Sequence, residues 1–142
     1  MTIAPKEPTQ EELYTIWEAR AMVDIDHVEE LIKSPRSSEP RELAVELDNL
    51  NQWLPRIGEL LSEAKSAYES ALGAMIVDLY KDPKYMQLAT SLFKQVAEGR
   101  CADILKIFLR IDKLYASLVH CIESVRSLLS FAKEDMKMTP HN

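Results

Sequence analysis

The densest run of side chains able to ligate a metal or move a proton is Asp24, Asp26, His27, Glu29 and Glu30. On a helix, Asp26 and Glu30 share a face, as do Asp24 and His27, because positions three or four apart are neighbours. A metal site needs ligands converging from several elements, so five such residues on one helix read first as an acidic, solvated face. His120 and Glu123 stand three apart. That is the reverse of the Glu-x-x-His order in di-iron bundles, and it occurs in one copy where the chemistry needs two. The adjacent His120 and Cys121 form no thiolate dyad, since neighbours on a helix diverge by about 100°.

Glu59 and Glu63 look like one half of the paired acidic motifs with which all-helical nucleotide pyrophosphohydrolases hold magnesium. Their spacing is four rather than three, and no matching Glu-x-x-Asp follows in the next helix. The sequence also lacks a glycine-rich phosphate loop, a nucleophile elbow and a zinc-type Cys/His pattern. The expectation is a chain that is not an enzyme and carries no metal or cofactor.

Binding is the remaining chemistry. Lys106, Arg110 and Lys113 stack on one helical face, preceded by Lys94 and Arg100. Such a stripe is what a phosphate backbone meets. Asp103 and Asp112 lie beside it, however, and no aromatic is interleaved for base stacking. Nucleic acid is therefore the alternative ligand rather than the first. Trp17 and Trp53 are the large side chains that would serve as hot spots for a protein partner if exposed.

Two heptad ladders position these residues. Leu43, Leu47, Leu50, Leu54, Ile57, Leu61, Ala64, Tyr68, Ala71 and Met75 form the first. Ala97, Cys101, Ile104, Phe108, Ile111, Tyr115, Leu118, Ile122, Val125, Leu129, Ala132 and Met136 form the second. Alternating steps of four and three put each set on one stripe of a helix and predict coiled-coil-like packing against a partner stripe. The prediction is an all-α, bundle-type fold of three main helices: a long antiparallel hairpin plus an N-terminal helix.

The whole chain, 1–142, reads as one helical domain. Residues 1–8, with Pro5 and Pro8, form a loose arm. Thr9 and Glu12 make a capping box that opens helix 1 over 9–33. A turn rich in Ser and Pro follows, with Ser38 as cap. Helix 2 covers 39–80 and is kinked at Pro55, since the heptad phase continues past the proline. Asp82 and Pro83 start helix 3 over 83–137, with a bend or break near Gly99 where the stripe stutters. Residues 138–142 form a fraying tail.

On these bounds helix 3 is longer than helix 2. The segment Ile122–Met136 would then overhang its neighbour as an apolar seam in need of cover. That predicts a homodimer, with a four-helix core made by two hairpins.

Composition and charge agree with a helical chain outside the membrane. Three glycines in 142 residues favour helix throughout. Residues 1–33 carry 3 basic and 8 acidic side chains, 34–82 carry 5 and 9, and 83–142 carry 9 and 6. The last third is electrostatically complementary to the first two, which favours packing them together. Cys101 and Cys121 have no framework spacing and read as free thiols in a reducing cytoplasm. The start has no basic segment followed by an apolar run, so a signal peptide is not expected. No stretch reaches the roughly 20 apolar residues of a membrane span.

The stretch from Ser117 through Val125, Ser127, Leu128, Leu129, Ser130 and Phe131 to Lys133, Glu134, Met136 and Lys137 resembles the C-terminal helix of small all-helical phage proteins. Those are encoded near recombination and single-strand-binding functions. The segment from Glu63 to Ala71 is similar to their middle helix. The resemblance implies a phage or mobile-element origin and a binding role, with no catalytic residues to carry over. The expected function is a non-catalytic interaction module for a host or phage protein, inhibiting a host defence or assisting recombination.

Overall fold

The computed structural model describes residues 2–138. Among them are four α-helices and no strand: α1 Gln10–Lys33, α2 Pro40–Lys81, α3 Thr90–Arg100 and α4 Ala102–Met138. The chain is all-α, but the helix expected after Pro83 is divided, so the helices number four rather than three. Of the expected tail, Met138 closes α4 and residues 139–142 lie outside the described residues. No helix among the described residues is long and apolar enough to cross a membrane.

Residues 2–9 precede α1 without regular structure. Thr9 opens the helix: its hydroxyl accepts from the Glu12 amide at 3.1 Å, and the Glu12 carboxylate accepts from the Thr9 amide at 3.2 Å. Two of the orphan donors of a helix start are thereby satisfied. At the other end Arg36 donates to the Ile32 carbonyl at 3.0 Å and lies 3.6 Å from Glu46 of α2. This arginine ties the end of α1 to the start of α2, and the short connection makes the two antiparallel. Trp17 pairs with Glu63, Asp24 with Arg56 and His27 with Trp53. The residue numbers in each pair add to the same total, the mark of an antiparallel register held over several turns.

Pro40 begins α2, its missing amide costing nothing at a first position. The cap is Glu39 rather than the expected Ser38; Ser37 accepts from the Glu39 amide at 3.1 Å instead. Helical geometry runs unbroken through Pro55.

Asp82 then caps only a single 3₁₀ turn, Pro83–Tyr85, accepting from the Lys84 amide at 3.0 Å. The backbone is extended at Ala89 (φ −63°, ψ 147°), and α3 starts at Thr90. The expected helix over 83–137 therefore begins late. It is also interrupted at Cys101, whose amide is shared between the carbonyls of Ala97 and Glu98 at 3.1 and 3.2 Å. Two residues earlier Gly99 keeps a negative φ, and a Cβ there would meet nothing within 4 Å.

Tyr80 stacks on Phe93, Tyr68 on Phe108, and Tyr115 lies against Gly58. These pairs give one antiparallel register, so α3 and α4 form a single interrupted rod along α2. This corrects the expected overhang. The turn and the late start of α3 use up the extra residues, and Ile122 and Val125 are buried. Leu129 and Ala132 pack on the same core.

The core has two parts. The larger joins α1, α2 and α4 around Ile25, Val28, Leu50, Ile57, Leu60, Ile111, Leu114 and Leu118. The smaller is Leu79, Phe93 and Ala97, ringed by Leu72, Met75, Ile76, Tyr85, Leu88 and Val96. α1 contributes nothing to it.

Two substitutions test this account. Leu118→Ala, which empties a fully buried position, should cost about 2–5 kcal/mol in urea unfolding. Gly99→Ala, in open helical space, should instead raise stability by about 0.5–1 kcal/mol. A loss at Gly99 would show that α3 does not adopt helical geometry there.

Candidate functional site

The acidic run on α1 is divided between two partners. Asp24 accepts from the Arg56 guanidinium of α2 at 2.9 Å. Glu29 and Asp26 face the other way and accept from Arg110 of α4, at 2.9 and 3.1 Å. Glu29 takes both Nε and Nη2 of Arg110, a fork geometry that only arginine supplies. The Arg110 hydrogen bond holds the Glu29 carboxyl below its usual 4.5, against a smaller opposing effect of burial. The two Arg110 pairs span the acidic first third and the basic last third of the chain. Among the described residues no group of three His, Cys, Asp or Glu side chains could hold a metal ion.

The expected basic stripe is not a uniform outer face. Arg110 turns onto α1, because α4 carries a second apolar seam through Ile107 and Leu114 that brings α1 to its flank. Arg100 donates to the Tyr85 hydroxyl at 2.7 Å and lies over its ring. Lys94 is 3.9 Å from Glu98. Lys106 is exposed, and exposed Lys113 borders a shallow groove between α1 and α4 with Lys33, Glu29 and Ser117. The tryptophans expected as hot spots are both half-buried between α1 and α2. Trp17 donates its indole N–H to Glu63, and the Trp53 ring lies 4.9 Å from His27.

What stands free is the far end of the hairpin. The seam of α2 that meets α1 runs through Trp53, Arg56, Leu60 and Glu63. At the same spacing it continues into Ala67, Ser70 and Ala74. Past that point bulk gives way to small side chains. Residues 2–13 are all exposed, so the N-terminal segment does not cover this end either. The last turns of α2, the 3₁₀ turn and α3 thus form a two-helix arm closed on its own small core.

A pair of helices cannot enclose an apolar interior as three can. Tyr80 lies flat on Phe93 at 4.6 Å between ring centres, yet remains 56% exposed. Val77, Met86 and Leu92 are also exposed along the arm. In sequence Leu92 reads as part of the apolar stripe of helix 3, and none of the four reads as a binding residue. Val77 and Tyr80 lie past the end of the first ladder, Met86 in the turn and Leu92 on α3, and the small residues Ala67, Ser70 and Ala74 mark where α1 stops.

Cys101 is buried and its thiol pushed up by that burial; Cys121 is half-buried, and both are free. Burial also raises Tyr14, helped by Glu18 and Asp103. Comparison with protein-family models, curated proteins and solved structures finds no match to this chain.

The Arg110 fork gives a pH signature. Because Glu29 titrates lower in the folded chain than its usual 4.5, its stabilisation is present above that pH. It is lost as pH falls through the depressed folded value. Trp17 fluorescence should report α1 loosening in that range, and Arg110→Gln should remove the Glu29 part of the transition. An identical acid transition in Arg110→Gln would show that the fork does not hold α1.

Proposed function

We propose that this chain is a non-catalytic helical protein-interaction module of phage or mobile-element type. It works in the cytoplasm by occupying a surface of a host or phage protein, inhibiting a host defence or assisting recombination. The observation that carries this reading is the two-helix arm: a preformed hairpin end with Val77, Tyr80, Met86 and Leu92 exposed and no third helix over it among the described residues. Exposed aromatic and Met side chains on a preformed element are what a protein partner buries at low entropic cost. Arg100 and Lys94 at its base lend the arm a polar rim.

Phosphate contact is the weaker reading. Of the five cations Lys94, Arg100, Lys106, Arg110 and Lys113, three are engaged inside the chain. Lys106 and Lys113 are too few to release the counterions that hold a protein on nucleic acid.

Tagged protein incubated with lysate of phage-infected bacteria should retain a discrete partner. Val77→Glu with Met86→Glu, both at exposed positions, should lose it while circular dichroism stays unchanged. Retention of the same partner by that variant would overturn the assignment of the arm. On DNA the chain should cause no mobility shift at low salt. A shift that weakens steeply with salt and disappears in Lys106→Glu with Lys113→Glu would reverse the ranking of the two readings.

A further inference from the structure

The last turns of α4 carry a second exposed face, separate from the arm. Glu123, Ser127, Ser130, Glu134 and Lys137 recur at steps of four and three, on the side opposite the buried Ile122 and Val125. All five are exposed. The serines are too short to fill the space between their neighbours. A shallow depression results, lined by Arg126, Ser127, Ser130, Phe131 and Glu134. Beside it the Phe131 ring is 68% exposed and Leu128 is 42% exposed. A large ring thus stands next to a hole that no described residue fills.

The charges on this face have a particular order. Arg126 and Glu134 are equally spaced on either side of Ser130, and so are Glu123 and Lys137. Each pair is of opposite sign. That pattern matches itself when turned end for end about Ser130. Laid parallel, two copies would place Arg126 on Arg126 and Glu134 on Glu134.

We propose that this face is a homodimer seam: a second copy of the chain lies antiparallel across it, with the two-fold axis beside Ser130. Arg126 of each copy meets Glu134 of the other, and Glu123 meets Lys137, so each ion pair occurs twice, as an isologous interface requires. Each Phe131 enters the depression over Ser127 and Ser130 of the other copy, where small side chains let the helices approach. Residues 123–137 span about 20 Å at 1.5 Å per residue. So short a seam sits at the small end of specific interfaces and gives a weak, reversible dimer. The seam lies on different residues from the arm, so a monomeric chain would leave the functional reading standing, and loss of the arm's partner would leave the dimer standing.

Sedimentation of the full chain from about 1 to 300 µM brackets weak association. The mass should rise from 16.2 kDa towards twice that value. Phe131→Glu should abolish the rise. Arg126→Glu should weaken association roughly tenfold or more by setting like charges together, and adding Glu134→Arg to it should restore the dimer. The swap separates the antiparallel seam from any effect within one helix. A constant monomer mass, a dimer that survives Phe131→Glu, or a double variant no better than the single one would each overturn the proposal.

Discussion

A helix that packs on one neighbour needs a single apolar stripe; α2 has to satisfy two. Over its first two thirds Leu43, Leu50, Ile57 and Ala64 are buried in the common core with α4. On the adjoining flank Leu60 is buried and Trp53 half-buried where α1 lies. Its 42 residues form one uninterrupted element, so the positions of α1, α3 and α4 are all fixed by where they rest on it. The Pro55 ring is exposed, and the helix tolerates it because packing on two sides, rather than local hydrogen bonding alone, holds the backbone there.

The second of those attachments is the weaker. α1 buries only Ala21, Ile25 and Val28 completely, and its mixed composition offers little more. Orientation comes from charge: Arg56 on one side and Arg110 on the other hold Asp24, Asp26 and Glu29. Half-exposed ion pairs contribute little each to stability. They are directional, however, and two arginine pairs on opposite flanks leave α1 one rotation about its axis. The residues most suggestive of metal chemistry are thus those that set the third helix in place.

Much of this was legible in the sequence. Thr9 and Glu12 announced the start of α1, and the first ladder ran through Pro55 as the helix does. What the ladders hid was width. A step of three and four traces one seam, so Leu60 and Leu114, buried on the second seam, went unread, and Arg110 was assigned to an outer face that α1 covers. The turn after α2 reads as a long helix for a local reason: Asp82 and Pro83 have the chemistry of a helix start and do begin a helical turn. A separate extended residue at Ala89 then delays α3. That delay removes the overhang that would have needed cover from a second hairpin. The exposed face at Phe131 went unread because its regularity lies in charge and small size, not in hydropathy.

The two cores share no residue. Only α2 passes through both, while its companion rod is interrupted at Cys101 between them. Cooperativity is carried by shared packing, so two separate cores joined along one helix should open separately. The arm, with an eleven-residue α3 that lacks a side-chain cap, is the unit with less to hold it. Its amides should exchange through openings that leave the three-helix body intact. A protein that grips the arm would then stabilise that unit selectively, and binding would register as protection from exchange before it registered as a change in the melting of the whole.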